Sequence, residues 1–291
     1  MASSRKNMLL AVLLTVFLSV PLLIYGSNMF TSRTDRQVGV FYYPWYLSDC
    51  DWYGKGKDAP APSLGWYKSE DVVDQHLRWI SEAGIDFLVV SWQGVNHGSN
   101  GVTDKIFSSL QNYGLKGCVL IETWFMNYSE FTDSVEYVWT QFAGRQEYFC
   151  LYGKPLLMVW SVDLTKTNIQ NYSDERFTVR HCPTQVSYGY SASVMPQTLL
   201  GDFVTVLPGF DDTNFIHRKL PARIVSRRDG ETYRNQWNLV LNLAETTPKN
   251  FVVVICSFNE WNELSSIEPS ETWGTLYLDI TKEYVHQFKQ K

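Results

Sequence analysis

Asp86–Glu122 reads DFLVVSWQGVNHGSNGVTDKIFSSLQNYGLKGCVLIE. Two short apolar runs, DFLVVSW (Asp86–Trp92) and GCVLIE (Gly117–Glu122), bracket a segment with helical spacing, Thr103–Tyr113. Runs so continuously apolar are covered on both faces, as in a parallel sheet. Parallel neighbours need a crossover, and the helix between them supplies it. The stretch is a strand–helix–strand unit.

The same alternation continues on both sides. VGVFYY (Val38–Tyr43) is a strand, followed by a helix over Glu70–Ala83 that Gly84 stops. A helix over Phe131–Phe142 precedes the strand PLLMVW (Pro155–Trp160). FVTVLPG (Phe203–Gly209) is a strand, Thr232–Ala244 a helix, FVVVICSFNE (Phe251–Glu260) the last strand and Thr275–Phe288 the last helix. Read as two short strands, Phe177–Tyr190 brings the total to eight. The expected fold is α/β, a (β/α)8 TIM barrel, which takes about 250 residues. A doubly wound open sheet is the alternative, and no glycine-rich phosphate loop follows any strand to support its nucleotide-binding form.

Composition narrows the function. With 45% hydrophobic and 15% aromatic residues in 291, the chain can bury a large core, which excludes global disorder. A net charge of −5 argues against a partner held by phosphate contacts, so no nucleic acid is expected. Five Cys do not make a disulfide scaffold. Cys118 and Cys256 read as buried small hydrophobes, while Cys50, Cys150 and Cys182 lie in loop-like sequence with room for one disulfide. The 11 Trp and 17 Tyr offer flat apolar faces with polar edges, suited to sugars, bases or interfaces.

The N-terminus is a separate matter. Met8–Phe30 carries no charge, and its centre, MLLAVLLTVFLSVPLLIY (Met8–Tyr25), is long enough for a transmembrane helix. It exceeds a usual signal-peptide core and lacks a clean cleavage site, so an uncleaved signal anchor is expected over a cleaved signal. Residues 1–30 are then the membrane anchor or signal segment, 31–37 a short linker and 38–291 the barrel domain. Arg5 and Lys6 favour a cytoplasmic N-terminus, with the barrel lumenal or extracellular. The sequons Asn127-Tyr-Ser129 and Asn171-Tyr-Ser173 are compatible with that route.

In parallel α/β folds the chemistry lies at the C-terminal strand ends. These ends collect Tyr42, Tyr43, Trp45, Tyr46, Trp92, Trp124, Trp160 and Trp261 beside Glu122, Asp163, Asp211, Asp212, Glu260 and Glu263. Aromatic platforms next to carboxylates suit a sugar site: ring faces pack on C–H faces, and carboxylates fix hydroxyls or move protons. Singly, such an aromatic is more often a core plug than a ligand platform, and such a carboxylate reads equally as a cap or a solvated group. Glu260 and Glu263 stand out, three residues apart where an apolar strand breaks; two like charges so close push one pKa up, which favours an acid beside a base. No metal is expected, because the five His show no ligand spacing. A GxSxG elbow is absent. Arg218, Lys219, Arg223, Arg227 and Arg228 read as a solvated basic loop.

SFNEWNELSSIEPS (Ser257–Ser270), with VFYYPWY (Val40–Tyr46), VVSWQG (Val89–Gly94), LIETW (Leu120–Trp124) and VLPGFDDT (Val206–Thr213), resembles glycoside hydrolase family 99, the endo-α-1,2-mannosidases and endomannanases. The resemblance implies a (β/α)8 barrel, endo-cleavage of α-mannosidic linkages with retention, no cofactor, and an N-terminal anchor as in animal Golgi enzymes. It assigns catalysis to Glu260 and Glu263. Glu260 would deprotonate the sugar's own 2-hydroxyl, which attacks C1, and Glu263 would protonate the leaving oxygen and then activate water. It implies a sugar-binding role for Glu122 and cleft-lining roles for Tyr42, Tyr46 and Trp92; Trp124, Asp211, Asn259 and Trp261, at or beside the same strand ends, are further expected substrate-binding residues. Departures are Asn262 where the mannosidases carry His, Leu264 where Gly is common, and Leu120 with Thr123-Trp124 in the third-strand motif. Other readings keep the site: a transglycosylase, an inactive glycan-binding barrel, or Glu122 paired with Glu260 or Glu263 as an ordinary acid and nucleophile about 5 Å apart.

Overall fold

Seven parallel strands form the central sheet: β1 (Val38–Tyr42), β2 (Phe87–Trp92), β3 (Lys116–Glu122), β4 (Lys154–Trp160), β5 (Thr178–Cys182), β6 (Phe203–Val206) and β7 (Val252–Ile255). The computed structural model describes residues 36–48, 64, 67, 69–124, 126–161, 166–189, 202–213, 221–247 and 251–291. The expected anchor, Cys50 and Asp163 lie outside them. Among the described residues no helix is long and apolar enough to cross a membrane.

The strand order is β5-β4-β3-β2-β1-β7-β6, all parallel. Read from β6 through β7 and β1 to β5, the order never reverses. Right-handed crossovers then put every helix on one side of the sheet, the winding of a barrel rather than of a doubly wound sheet. The expectation of eight strands needs correction. Phe177–Tyr190 supplies one ladder strand, β5, and among the described residues the ladder is open between β5 and β6, so the sheet is a half-barrel. Val186–Gly189 runs along that seam without joining it. The Gln185 and Val186 N–H groups donate to the His181 carbonyl, and the Thr205 hydroxyl donates to the Ser187 carbonyl at 2.9 Å.

The covering helices are α1 (Glu70–Glu82), α2 (Asn100–Ser109), α3 (Tyr128–Val138), α4 (Glu231–Thr246) and α5 (Leu276–Gln290). Each buries one apolar stripe: Val72, Val73, Leu77 and Ile80 on α1, Tyr233, Trp237, Val240 and Ala244 on α4. Asn127 starts α3 with a reciprocal capping box. Its side chain accepts from the Glu130 N–H at 3.0 Å, and Glu130 accepts from the Asn127 N–H at 2.7 Å. Such a cap contributes about 1 kcal/mol.

Strand parity decides which side chains reach the site. On β1, Gly39 and Phe41 face the concave side. A Cβ on Gly39 would lie 2.4 Å from the Phe87 ring, so glycine is what admits that ring to the lower layer. Tyr42 has the opposite parity and meets His76 of α1. On β2, Ser91 points inward and Trp92 outward; on β3, Glu122 points inward.

Candidate active site

The chain leaves β7 and makes a tight turn, Glu260–Glu263, hydrogen-bonded at both ends. Ser257 opens it, its hydroxyl accepting the Glu260 N–H at 2.8 Å as an N-cap residue accepts from N3. Ser257-Phe-Asn-Glu260 thus has capping-box spacing, but the Glu260 carboxylate points elsewhere. The turn closes with the paired bonds of a Schellman motif: Ser265 N–H to the Glu260 carbonyl at 3.1 Å and Leu264 N–H to the Trp261 carbonyl at 3.3 Å. Leu264 takes the left-handed conformation at φ +45° that closes the motif. The turn carries both Glu260 and Glu263, and both carboxylates act electrostatically on Tyr43 and Cys256.

The two carboxylates sit in different surroundings. Glu260 is 5% exposed. Its Oε1 accepts the Tyr46 hydroxyl at 2.7 Å and the Asn262 N–H at 3.0 Å, and the carboxylate also accepts the Glu263 N–H. Burial pushes its pKa above the usual carboxylate range; the Tyr46 and backbone hydrogen bonds pull back down, and the charge of Glu122 adds to the rise. Glu263 is half-buried, its carboxylate against the backbone of Gly189, where a Cβ would lie 3.3 Å from Oε2. The Asp211 N–H holds the Glu263 carbonyl at 2.8 Å.

Glu122, at the end of β3, is the third buried carboxylate. Ser91 and Tyr188 hydroxyls both donate to its Oε1 at 2.8 Å, and the Trp124 side chain also donates to the carboxylate. Burial outweighs these bonds and pushes its pKa up to about 7. The Tyr188 and Tyr43 hydroxyls are bonded to each other. Tyr188 gives its one proton to Glu122, so Tyr43 donates to Tyr188. A cleft of about 390 Å³ opens from Glu122 between Trp92, Trp124, Met126 and Tyr137 toward Glu130 and Asp133. Trp124 is 53% exposed and leans on Trp160 with ring centroids 4.2 Å apart.

Of the residues expected to bind substrate, Glu122 and Trp124 stand at this cleft, and Tyr46 is wholly buried against Glu260. Trp92 backs the cleft from the helix side, its indole N–H on Asn100 at 2.9 Å and its ring stacked on Tyr137. Asp211 is half-buried and caps the Thr213 N–H at 2.9 Å. Three more lie beneath the surface. Asn259 is wholly buried and spends both ends of its amide on the Tyr43 backbone, at 2.8 and 2.9 Å, tying the end of β1 to the Glu260–Glu263 turn. Tyr42 and Trp261 belong to a buried polar cluster. The Tyr42 hydroxyl meets His76 Nδ1 at 2.8 Å, His76 Nε2 meets Glu268 at 2.9 Å, and Trp261 donates its indole N–H to Glu268 at 2.9 Å. Tyr67 also donates to Glu268. A carboxylate that accepts three donors in a dry layer is satisfied, and it anchors the Trp261 ring under the turn.

Sequence reasoning passed over Tyr188, Ser91, His76, Tyr67, Glu268 and Gly189. Ser91 and Tyr43 were open to parity once Glu122 is placed inward. Tyr188 was not, because its segment joins no ladder. The basic loop also needs correction: Arg218 and Lys219 lie outside the described residues, Arg223 pairs with Asp212 at 2.8 Å, and Arg227 is 7% exposed, held by backbone carbonyls. Cys182, expected in a loop, is buried at the end of β5; Cys118, Cys150, Cys182 and Cys256 are free thiols.

Residues 57–174 match the sequence profile of glycosyl hydrolase family 99, a stretch that ends before the Glu260–Glu263 turn. No curated protein matches the chain in sequence. Among solved structures, the fold is shared with the GH99 endo-alpha-mannosidase from Bacteroides thetaiotaomicron, at a TM-score of 0.66 and 16% identity over 87% of this chain and 98% of that one. The same enzyme in complex with BIS-TRIS propane matches at a TM-score of 0.66 and 17% identity, over 88% of this chain and 98% of that one.

Proposed function

We propose, from the match of residues 57–174 to the profile of glycosyl hydrolase family 99 and from the shared fold, a retaining endo-glycosidase of that family acting on internal α-mannosidic or closely related α-linkages. One observation carries the reading: Glu260 and Glu263 lie on one capped turn, the first buried and the second half-buried, and both act electrostatically on Tyr43. Two carboxylates in unequal surroundings divide base from acid.

In this reading Glu260 takes the proton of the sugar 2-hydroxyl and that oxygen attacks C1. The bond from C1 to the leaving oxygen breaks as Glu263 gives that oxygen its proton. Glu263 then removes a proton from water, water opens the three-membered ring at C1, and Glu260 returns its proton to O2. Two inversions retain the configuration. Neither carboxylate bonds to carbon, so a pair on one turn suffices, whereas an ordinary retaining pair stands about 5 Å apart across the bond. Glu122 and Trp124 would hold a neighbouring sugar in the cleft, which favours an internal cut over the release of end units.

The apolar segment at residues 8–25 would anchor the barrel to a membrane from the lumenal or outer side. That placement agrees with the exposure of both sequons, Asn127 and Asn171.

The test is incubation of the full chain with a panel of α-linked mannose oligosaccharides, alone and with an acceptor sugar in excess. Hydrolysis predicts new free reducing ends in both. Elongated acceptor would move the reading to a transglycosylase, and calorimetric binding without turnover would move it to a glycan-binding barrel.

A further inference from the structure

We propose that Arg227 is a positioning residue for Glu263, acting through the backbone of Leu264; the role assigned to Glu263 rests on the function proposed above.

A Schellman motif needs its closing residue at positive φ, and glycine fills that place without steric cost. Here Leu264 fills it at φ +45°. Side chains with a Cβ resist this conformation, and it persists only where the surroundings hold it. Arg227 supplies the hold. Its Nε and Nη2 both donate to the Leu264 carbonyl, at 3.2 and 2.8 Å, and Nη2 also donates to the Ser266 carbonyl at 2.8 Å. The guanidinium lies 4.4 Å from the ring centroids of both Trp273 and Tyr277, which fix its plane. Room for it comes from Gly209, where a Cβ would lie 2.3 Å from Arg227 Cγ.

The consequence falls on the preceding residue. The Glu263 carbonyl is held by the Asp211 N–H, and the next carbonyl is held by Arg227. Without the second hold, Leu264 relaxes toward negative φ, the 6→1 and 5→2 bonds open, and the Glu263 carboxylate leaves its place against Gly189. Lysine in place of Arg227 keeps the charge but loses the planar fork that grips one carbonyl twice and stacks between two rings. Glycine in place of Leu264 removes the need for the grip.

Four full-length proteins test this: wild type, Arg227→Lys, Leu264→Gly and the double variant, each assayed for kcat, KM and Tm. Arg227→Lys is expected to lower kcat about 10- to 100-fold while KM stays nearly constant, as a misplaced acid does. In the Leu264→Gly background the same substitution should cost no more than about twofold, and its loss of Tm should shrink in parallel. Equal losses in both backgrounds would overturn the proposal and leave Arg227 a packing residue. If Arg227→Lys does not fold, folding of the double variant supports the proposal and its failure overturns it. A wild type inactive on every glycan would sink the proposed function alone, because the Tm comparison still decides the hold on Leu264.

Discussion

Tyr46 donates its hydroxyl proton to Glu260 Oε1 at 2.7 Å, and its orientation is fixed. The peptide N–H groups of Trp261 and Asn262 donate to that hydroxyl oxygen at 2.9 and 3.2 Å. With its lone pairs taken, the proton points at the carboxylate. The bond stabilises the charged form of Glu260 against burial, so the carboxylate proposed as the base is kept ready to accept a proton.

Tyr46→Phe should therefore raise the pKa of Glu260 further. The acid limb of the kcat/KM profile is expected to move up by about one pH unit, with kcat lowered about 10- to 100-fold near neutral pH. A profile that keeps its acid limb while activity falls would contradict this role for Tyr46.

Glu122→Gln should move the same limb the other way. The negative charge of Glu122 helps to raise the pKa of Glu260, so a neutral amide lowers it. Opposite shifts from Tyr46→Phe and Glu122→Gln, measured on one substrate, separate hydrogen bonding from charge at Glu260. Shifts in the same direction would mean that both substitutions act through distortion.

Stability should carry a matching signature. The Glu122 pKa is raised from 4.5 to about 7 in the fold. Between those values the folded chain keeps a proton that the unfolded chain releases, so this contribution is full below the lower value and lost as pH rises through the upper one. Glu122→Gln removes the loss, since the amide oxygen still accepts from Ser91 and Tyr188. Its Tm is expected a few degrees above wild type at about pH 8 and equal to it at about pH 4. A constant difference across that range would contradict burial as the cause of the shift.

Trp124→Ala probes the cleft. The ring is 53% exposed and rests on Trp160, so its removal leaves no core cavity. KM for a long oligosaccharide should rise about tenfold with kcat and Tm nearly unchanged, the pattern of lost uniform binding. A fall in Tm with KM constant would make Trp124 a packing residue.

The layout of the barrel was legible because its strands are continuous apolar runs and its helices are periodic. The same continuity hid parity. VGVFYY gives no sign that Tyr42 faces α1 and His76 while Tyr43 faces the site, because a strand buried on both faces is apolar in both registers. SFNEWNE marked the turn that carries Glu260 and Glu263, but Asn259 and Trp261 beside these glutamates turn out to be a clamp and an anchor. Both are wholly buried, a property that residue type alone does not carry. Tyr188 reaches Glu122 from a segment outside the ladder, and Glu268 reaches Trp261 through a fold-back after Leu264; neither contact follows from local spacing.

The measurement closest to the centre of this account is hydrolysis of an α-mannose oligosaccharide by wild type, Glu260→Gln and Glu263→Gln, with the anomer of the first product followed by NMR. The account predicts a wild-type product of retained configuration and losses of at least about 1,000-fold in each variant, with the fold intact. An inverted product, or either variant working at the wild-type rate, would contradict it.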